Sequence, residues 1–242
     1  MDRLPTVDAG VLGVVLSDPE VTAVFPEMSS TILPHGQEIR FYRGDSVDIA
    51  VQLQNDGDPP DPIDTAGSVL RFAAKQGHGG VPTSLRNRVA LGNEAALVLK
   101  TSADPTQVEL VNPSKGQAIV HLSPEDTFDL PTVPALWDLE LTRPTARVDL
   151  PPGHLMFAGG SDVVLSLTTE VDWMQLGIRP GDLLTVQGRT VIVRKVISPI
   201  HLVVDFTGWT SGAMPTSAVA IHRGKTKTVA YGPFVVLGDV VR

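Results

Sequence analysis

Cysteine is absent from the 242 residues. Disulfides, thiolate nucleophiles and zinc sites built on sulfur are therefore excluded. Aromatic residues are few, at three Trp, two Tyr and seven Phe. That is a thin supply for a sugar-cleaving groove, which needs flat apolar platforms. Basic residues are sparse as well: 19 Lys and Arg against 27 Asp and Glu leave a net charge of −8. They are scattered, and the densest group, Arg223, Lys225 and Lys227, is what one wet strand face would carry. A chain that grips nucleic acid needs a concentrated basic footprint, so that partner is excluded. No run of about 18 apolar residues exists to cross a membrane as a helix. The best apolar run, Val11 to Leu16, is interrupted by Gly13 and follows Asp2, Arg3 and Asp8. It makes a poor secretion signal, and the expectation is a soluble protein without one.

What is present points to strands. Hydrophobic residues make up 42%, enough to bury a real core. The length allows one large domain or two small ones. The 22 Gly and 20 Pro are spread as punctuation between short β-branched runs. Val47, Ile49, Val51 and Leu53 alternate with Ser46, Asp48, Ala50 and Gln52, the period of a sheet with one wet face. Further strands are predicted at 68–74, 95–100, 117–122 and from Trp137 to Thr142. Ser123-Pro124-Glu125-Asp126 reads as a helix start. After the breaks at Pro151-Pro152-Gly153 and Gly159-Gly160, short strands follow at 163–167, 183–186, 190–197, 202–206 and 218–222. A helical turn over 171–177 would point Trp173 and Leu176 inward. Such close spacing suggests a small barrel. A last strand at 228–236 contains Gly232 and Pro233, which favour an edge or a bulge. Residues 1–36, divided by Pro5, Pro19, Pro26 and Pro34, read as an arm with a helical turn at Asp18 to Val24. Its apolar residues, Val14, Val15, Leu16, Val24 and Phe25, are candidate interface positions, to be covered by this chain or by a neighbour.

Several motifs have plain readings. Arg43-Gly44-Asp45 is a strand-entry turn. The aspartates at 56, 58, 61 and 64 lack the spacing and late glutamate of a calcium loop, and the prolines at 59, 60 and 62 make a rigid turn there. Gly224-Lys225-Thr226 ends like a phosphate loop, but Val219 stands where its first glycine belongs. Gly159-Gly160-Ser161 lacks the flanking glycine of a nucleophile elbow. The histidines at 35, 78, 121, 154, 201 and 222 do not pair at metal-binding spacings. No catalytic, cofactor or metal residue is nominated. Trp173 and Trp209 read as core aromatics or, alternatively, as a sugar platform.

Two segments carry a resemblance. The first is Phe41-Tyr42-Arg43-Gly44-Asp45-Ser46-Val47-Asp48-Ile49, followed by a polar turn and Ile63-Asp64-Thr65-Ala66-Gly67-Ser68-Val69-Leu70-Arg71-Phe72. The second joins Leu136-Trp137-Asp138-Leu139-Glu140-Leu141 to the tail, with Gly232-Pro233-Phe234-Val235-Val236 and Asp239-Val240-Val241-Arg242. Together they resemble the N-terminal domain of phage baseplate upper proteins, over about half of the chain. Val241 replaces that family's usual Thr. In the family the two closing strands follow each other across a short turn; here about 80 residues part them, far beyond a hairpin loop. An inserted domain accounts for this, because a hairpin tip already holds the chain ends together. Trp173 to Gly177, with Ile178-Arg179-Pro180-Gly181-Asp182-Leu183-Leu184, is similar to small β-barrel modules of phage tail and neck proteins.

The expected architecture is all-β. It has an N-terminal arm (1–36), a β-sandwich discontinuous in sequence (37–147 and 225–242) and an inserted small β-barrel (148–224). The resemblance implies a non-enzymatic virion component of a phage tail or baseplate, assembled in the host cytoplasm. It would need no cofactor, form a homo-oligomer, and connect the tail to fibres or to other tail proteins. The alternative is a carbohydrate- or receptor-binding module of a tail fibre, with Trp209 and His201 as glycan contacts.

Overall fold

The computed structural model describes residues 38–54, 61–76, 96–132 and 135–238, with the backbone of three short strands before them. Those three are β1 (Leu12–Gly13), β2 (Ser17–Asp18) and β3 (Val21–Thr22). The chain is mostly β, in large antiparallel sheets. Strands β4 (Ile39–Tyr42), β5 (Val47–Gln52), β6 (Val69–Gln76), β7 (Ala96–Thr101), β8 (Val108–Asn112) and β9 (Gln117–Leu122) come next. A short helix, α1 (Pro124–Phe128), follows Ser123, whose backbone N–H donates to Asp126 Oδ2 at 2.7 Å. Then come β10 (Ala135–Val148), β11 (His154–Phe157), β12 (Val163–Ser166), β13 (Leu183–Val186), β14 (Arg189–Ser198), β15 (His201–Val204), β16 (Gly212–Pro215) and β17 (Ala220–Leu237).

Two sheets face one core. The smaller runs β1-β5-β9-β8, and its alternating residues Ile49, Val51, Val120 and Leu122 point inward. The larger runs β16-β11-β12-β15-β14-β13-β17-β10-β6-β7, with β4 beside β17. It lends Phe72, Trp137, Leu139 and Phe234 to the same core. Phe72 stacks on Trp137 at 6.1 Å, and Phe41 meets Phe234 edge-on at 5.1 Å. A second core gathers Leu155, Phe157, Val164, Trp173, Val193, Leu202 and Ile221. Val69, Leu183 and Ile192 form a third, small cluster.

The strand β17 serves both cores: Ile221 belongs to the second, and Val229, Phe234 and Val236 to the first. It pairs with β10 from Val148↔Ile221 to Ala135↔Phe234. Local pattern divides β17 into strands at 218–222 and 228–236, and ends the strand at Trp137 near Thr142. Both in fact continue through the expected boundaries at 147/148 and 224/225. Cross-strand pairing overrides the local breakers. Pro144 is tolerated because the ladder shifts register between Pro144 and Arg147. Its partner Gly224 lets another backbone in: a Cβ there would stand 1.8 Å from the Gly181 carbonyl oxygen. Pro233 lies opposite Leu136, and pairing with β4 begins at the next residue, Phe234.

The helical turn expected at Asp18 to Val24 is replaced by antiparallel pairing of Ser17↔Thr22 and Asp18↔Val21. Branched Val21 and Thr22 suit extended backbone better than helix. The segment at 173–177 makes the single helical turn expected there, with Leu176 N–H donating to the Asp172 carbonyl at 2.9 Å. Trp173 is buried there, as expected.

Replacing Gly224 should show how tightly the crossing is packed. Gly224→Ala is expected to destabilise the protein by about 1–3 kcal/mol, the usual penalty of overpacking, read as a lower urea midpoint. An unchanged midpoint would mean that Gly181 and Gly224 do not approach as described.

Candidate interaction surfaces

The nominated residues separate cleanly by place. Val14, Val15, Leu16, Val24 and Phe25 lie outside the described residues. Trp209 is 4% exposed and packs in the second core, 5.0 Å from Phe157 and 4.9 Å from Phe206 between ring centres. Its loop is held by Gln187, whose amide donates to the Thr210 carbonyl at 2.9 Å and accepts the Thr210 N–H at 3.0 Å. No ring face is left for a saccharide, so Trp209 is corrected from glycan contact to core residue. Apolar area explains this: an indole excludes more water inside a core than at its rim. His201 is half-buried on β15, its Nδ1 2.8 Å from Ser198 Oγ. Trp173, the other platform candidate, is fully buried.

Charged groups in the interior are structural. Arg223 on β17 donates to Asp182 Oδ2 and to the Gly177 carbonyl, both at 2.6 Å. Asp182 also accepts the Arg179 N–H at 2.9 Å, so the Gly-Ile-Arg-Pro-Gly-Asp turn is pinned to the shared ribbon. On the larger sheet, Lys75 and Asp138 form a buried pair at 3.0 Å, and Arg71 pairs with Glu140. On the smaller sheet, His121 meets Asp48 at 2.8 Å on an exposed face. Among the described residues, no three His, Asp or Glu converge in a way that would hold a metal.

The two cores are braced at their junction. Asp205, just past β15, accepts the Ile192 N–H at 2.7 Å and the Thr101 hydroxyl at 3.3 Å. Thr101 ends β7, so this bond crosses from one core to the other. Arg189 ties the segment just past β7 to the second core, donating to the carbonyl of Ala103, itself part of that core, at 2.8 Å while its guanidinium lies over Phe206 at 4.8 Å. A cleft of about 620 Å³ opens beside the brace, lined by Ser68, Ser102, Glu109, Gln187, Arg189 and Thr190. Arg189 is already committed to the brace, and Ser102 Oγ accepts the Leu70 N–H at 2.9 Å. No histidine lines the cleft to activate a hydroxyl.

Exposed apolar side chains form a clearer pattern. On the first core, Tyr42 is 45% and Phe128 64% exposed. The Arg43-Gly44-Asp45 turn joins them: Asp45 N–H donates to the Tyr42 carbonyl at 3.2 Å, and Thr127 Oγ donates to the Asp45 carbonyl at 2.8 Å. Gly44 sits under the Phe128 ring. On the second core, Leu167, Met174, Ile197 and Ile200 surround the turn between β14 and β15. Backbone bonds tie that end together, from Ser166 N–H to the Ile200 carbonyl at 2.9 Å and from Trp173 N–H to the Pro199 carbonyl at 2.8 Å. Sequence reasoning passes over these residues. The available signal is an isoleucine in a two-residue turn, Pro199-Ile200, where small and polar residues are usual.

No family model matches the chain, and no curated protein matches it.

Burial pushes the Asp205 carboxyl above its ordinary 3.8, against the Ile192 N–H and the positive charge of Arg71, which pull it down. The folded state therefore holds this proton more tightly than the unfolded state does. Its stabilising contribution is present below the unfolded pKa and is lost as pH rises through the raised value. Asp205→Asn cannot ionise, yet keeps an oxygen for the Ile192 N–H. The expected result is that the urea midpoint of the variant, minus that of the wild type, increases from pH 4 to pH 7. A difference that shrinks over that range would contradict the assignment.

Proposed function

We propose that the chain is a structural component of a phage tail or baseplate, joining the tail to fibres or to neighbouring subunits. The observation that carries this reading is that each core presents its own exposed apolar surface, at Tyr42 and Phe128 on one and around Ile200 on the other. Clustered apolar surface of this kind marks protein contacts. The described clefts, by comparison, show no assembled reaction chemistry. The sequence resemblance to baseplate upper proteins supplies the particle. In this reading the first core is a β-sandwich made from two stretches of chain. The second is a small barrel inserted between β10 and β17, and the N-terminal arm runs back onto its own sandwich, where β1 pairs with β5. The protein works as a homo-oligomer in the virion, among other tail or baseplate proteins, and performs no catalysis. The glycan-binding alternative loses its main support with Trp209 in the core.

Gold-labelled antibody against the chain, applied to purified particles of the phage that encodes it, is expected to mark the tail or baseplate. Mass spectrometry of the same particles should recover its peptides. Particles free of the protein would overturn the proposal.

A further inference from the structure

One rung of the shared ribbon sets two cations against each other. Arg143 on β10 stands directly opposite Lys225 on β17, and both are exposed. Directly opposed residues of an antiparallel ladder point to the same face, with Cβ atoms about 4.5–5.5 Å apart. The two backbones are held in this register. On one side Thr142 and Thr226 share a hydroxyl bond at 2.8 Å, and on the other the Thr145 hydroxyl donates to the Arg223 carbonyl at 2.9 Å. Among the described residues, neither Arg143 nor Lys225 forms an ion pair. Nearby cations differ: Arg223 is bound to Asp182, and Arg147 faces Asp149 at 3.8 Å. Like charges placed directly opposite cost a sheet stability, so this rung is unfavourable in the isolated chain.

The rung also lies where the ladder is narrowest. Pairing of β10 with β6 ends at Thr142↔Val69, and pairing of β17 with β13 ends at Leu183↔His222. At the Arg143–Lys225 rung, among the described residues, β10 and β17 pair only with each other. The chain as a whole carries a net charge of −8, so an unneutralised positive pair is a local exception. An acidic partner is drawn to such a point and repelled by the acidic surface around it, which gives the contact its register.

We propose that the Arg143–Lys225 rung is a docking point for an acidic, extended segment of a neighbouring protein. The inference rests on the assembly reading above and gives the chemistry of one neighbour. One carboxylate takes the Arg143 guanidinium through two parallel bonds, and a second takes the Lys225 ammonium as a point charge. Alternate residues of an extended segment project to one face about 6.5 Å apart, within reach of two long cationic side chains standing slightly closer. Docking turns a repulsive rung into a neutralised one, so the partner supplies what the free chain lacks.

The test is fluorescence anisotropy of labelled decaglutamate titrated with the purified full chain. Binding is expected at low salt, weakening as salt rises to about 0.15 M. Arg143→Glu and Lys225→Glu should each reduce the affinity by roughly tenfold or more. Each should also raise the urea midpoint of the free chain, because a like-charged rung becomes an oppositely charged one. The same measurement shows that both variants fold. Lys115→Glu makes an equal change of net charge at an exposed residue between β8 and β9, and should leave binding unchanged. A wild type that does not bind decaglutamate at low salt overturns the inference. So does an equal loss in Lys115→Glu, which would make the effect one of net charge. Tighter binding of single-stranded DNA of equal charge overturns it as well, since the partner would then be a nucleic acid. A lower urea midpoint in both rung variants would contradict the opposed geometry. Gold labelling on particles is independent of these results, so failure here and failure of the tail assignment are separate outcomes.

Discussion

The pairing of β10 with β17 is the contact on which the rest of the fold depends. A strand of 14 residues and one of 18 run side by side, and each core is packed against its own stretch of that ribbon. The first core uses Trp137 and Leu139 from β10 and Phe234 and Val236 from β17; the second uses Ile221. A change of core within a continuous ladder differs from a change across a linker. Bending the crossing would have to break ladder bonds, shift Gly224 against Gly181, or open the bonds of Asp205 and Arg189. Those contacts come from strands far apart in sequence, so the junction is held from several directions. In the proposed connector role, stiffness of this kind would set the spacing between the surfaces the chain presents.

Much of the strand content was legible because alternation is local. Val47 to Leu53 reads as a half-wet strand in sequence and forms one, paired residue by residue with Gln117 to Leu122. Ser123 and Asp126 announce α1 through a contact three residues long. What local pattern does not carry is the partner. Pro144, Gly224 and Pro233 look like breaks, yet they lie inside long strands because the opposite strand supplies a register shift, a close backbone or a late start to pairing. β4, β8, β11 and β16 went unread for a related reason: they are four or five residues long and take their extended form from a neighbour.

The sparse aromatic supply also makes sense once the cores are known. Phe41, Phe72, Trp137 and Phe234 fill the first, and Phe157, Trp173, Phe206 and Trp209 fill the second. With all three tryptophans inside, nothing comparable is left for an indole sugar platform. The exposed apolar surface is instead aliphatic around Ile200 and aromatic at Tyr42 and Phe128. Burial could not be read for these positions because exposure depends on which turn a residue occupies, and the β14–β15 turn is defined by its pairing. The molecule offers surfaces, and its polar interior is spent on holding them in place.

The central claim is that the ribbon makes the two cores one cooperative unit. Scanning calorimetry on the purified chain, kept dilute enough to be monomeric, tests it most directly. A single transition is expected, with the calorimetric enthalpy equal to the van't Hoff enthalpy. Two resolved transitions, or a calorimetric enthalpy well above the van't Hoff value, would contradict the claim. One core would then melt while the other stands, and the ribbon would be a tether between independent bodies.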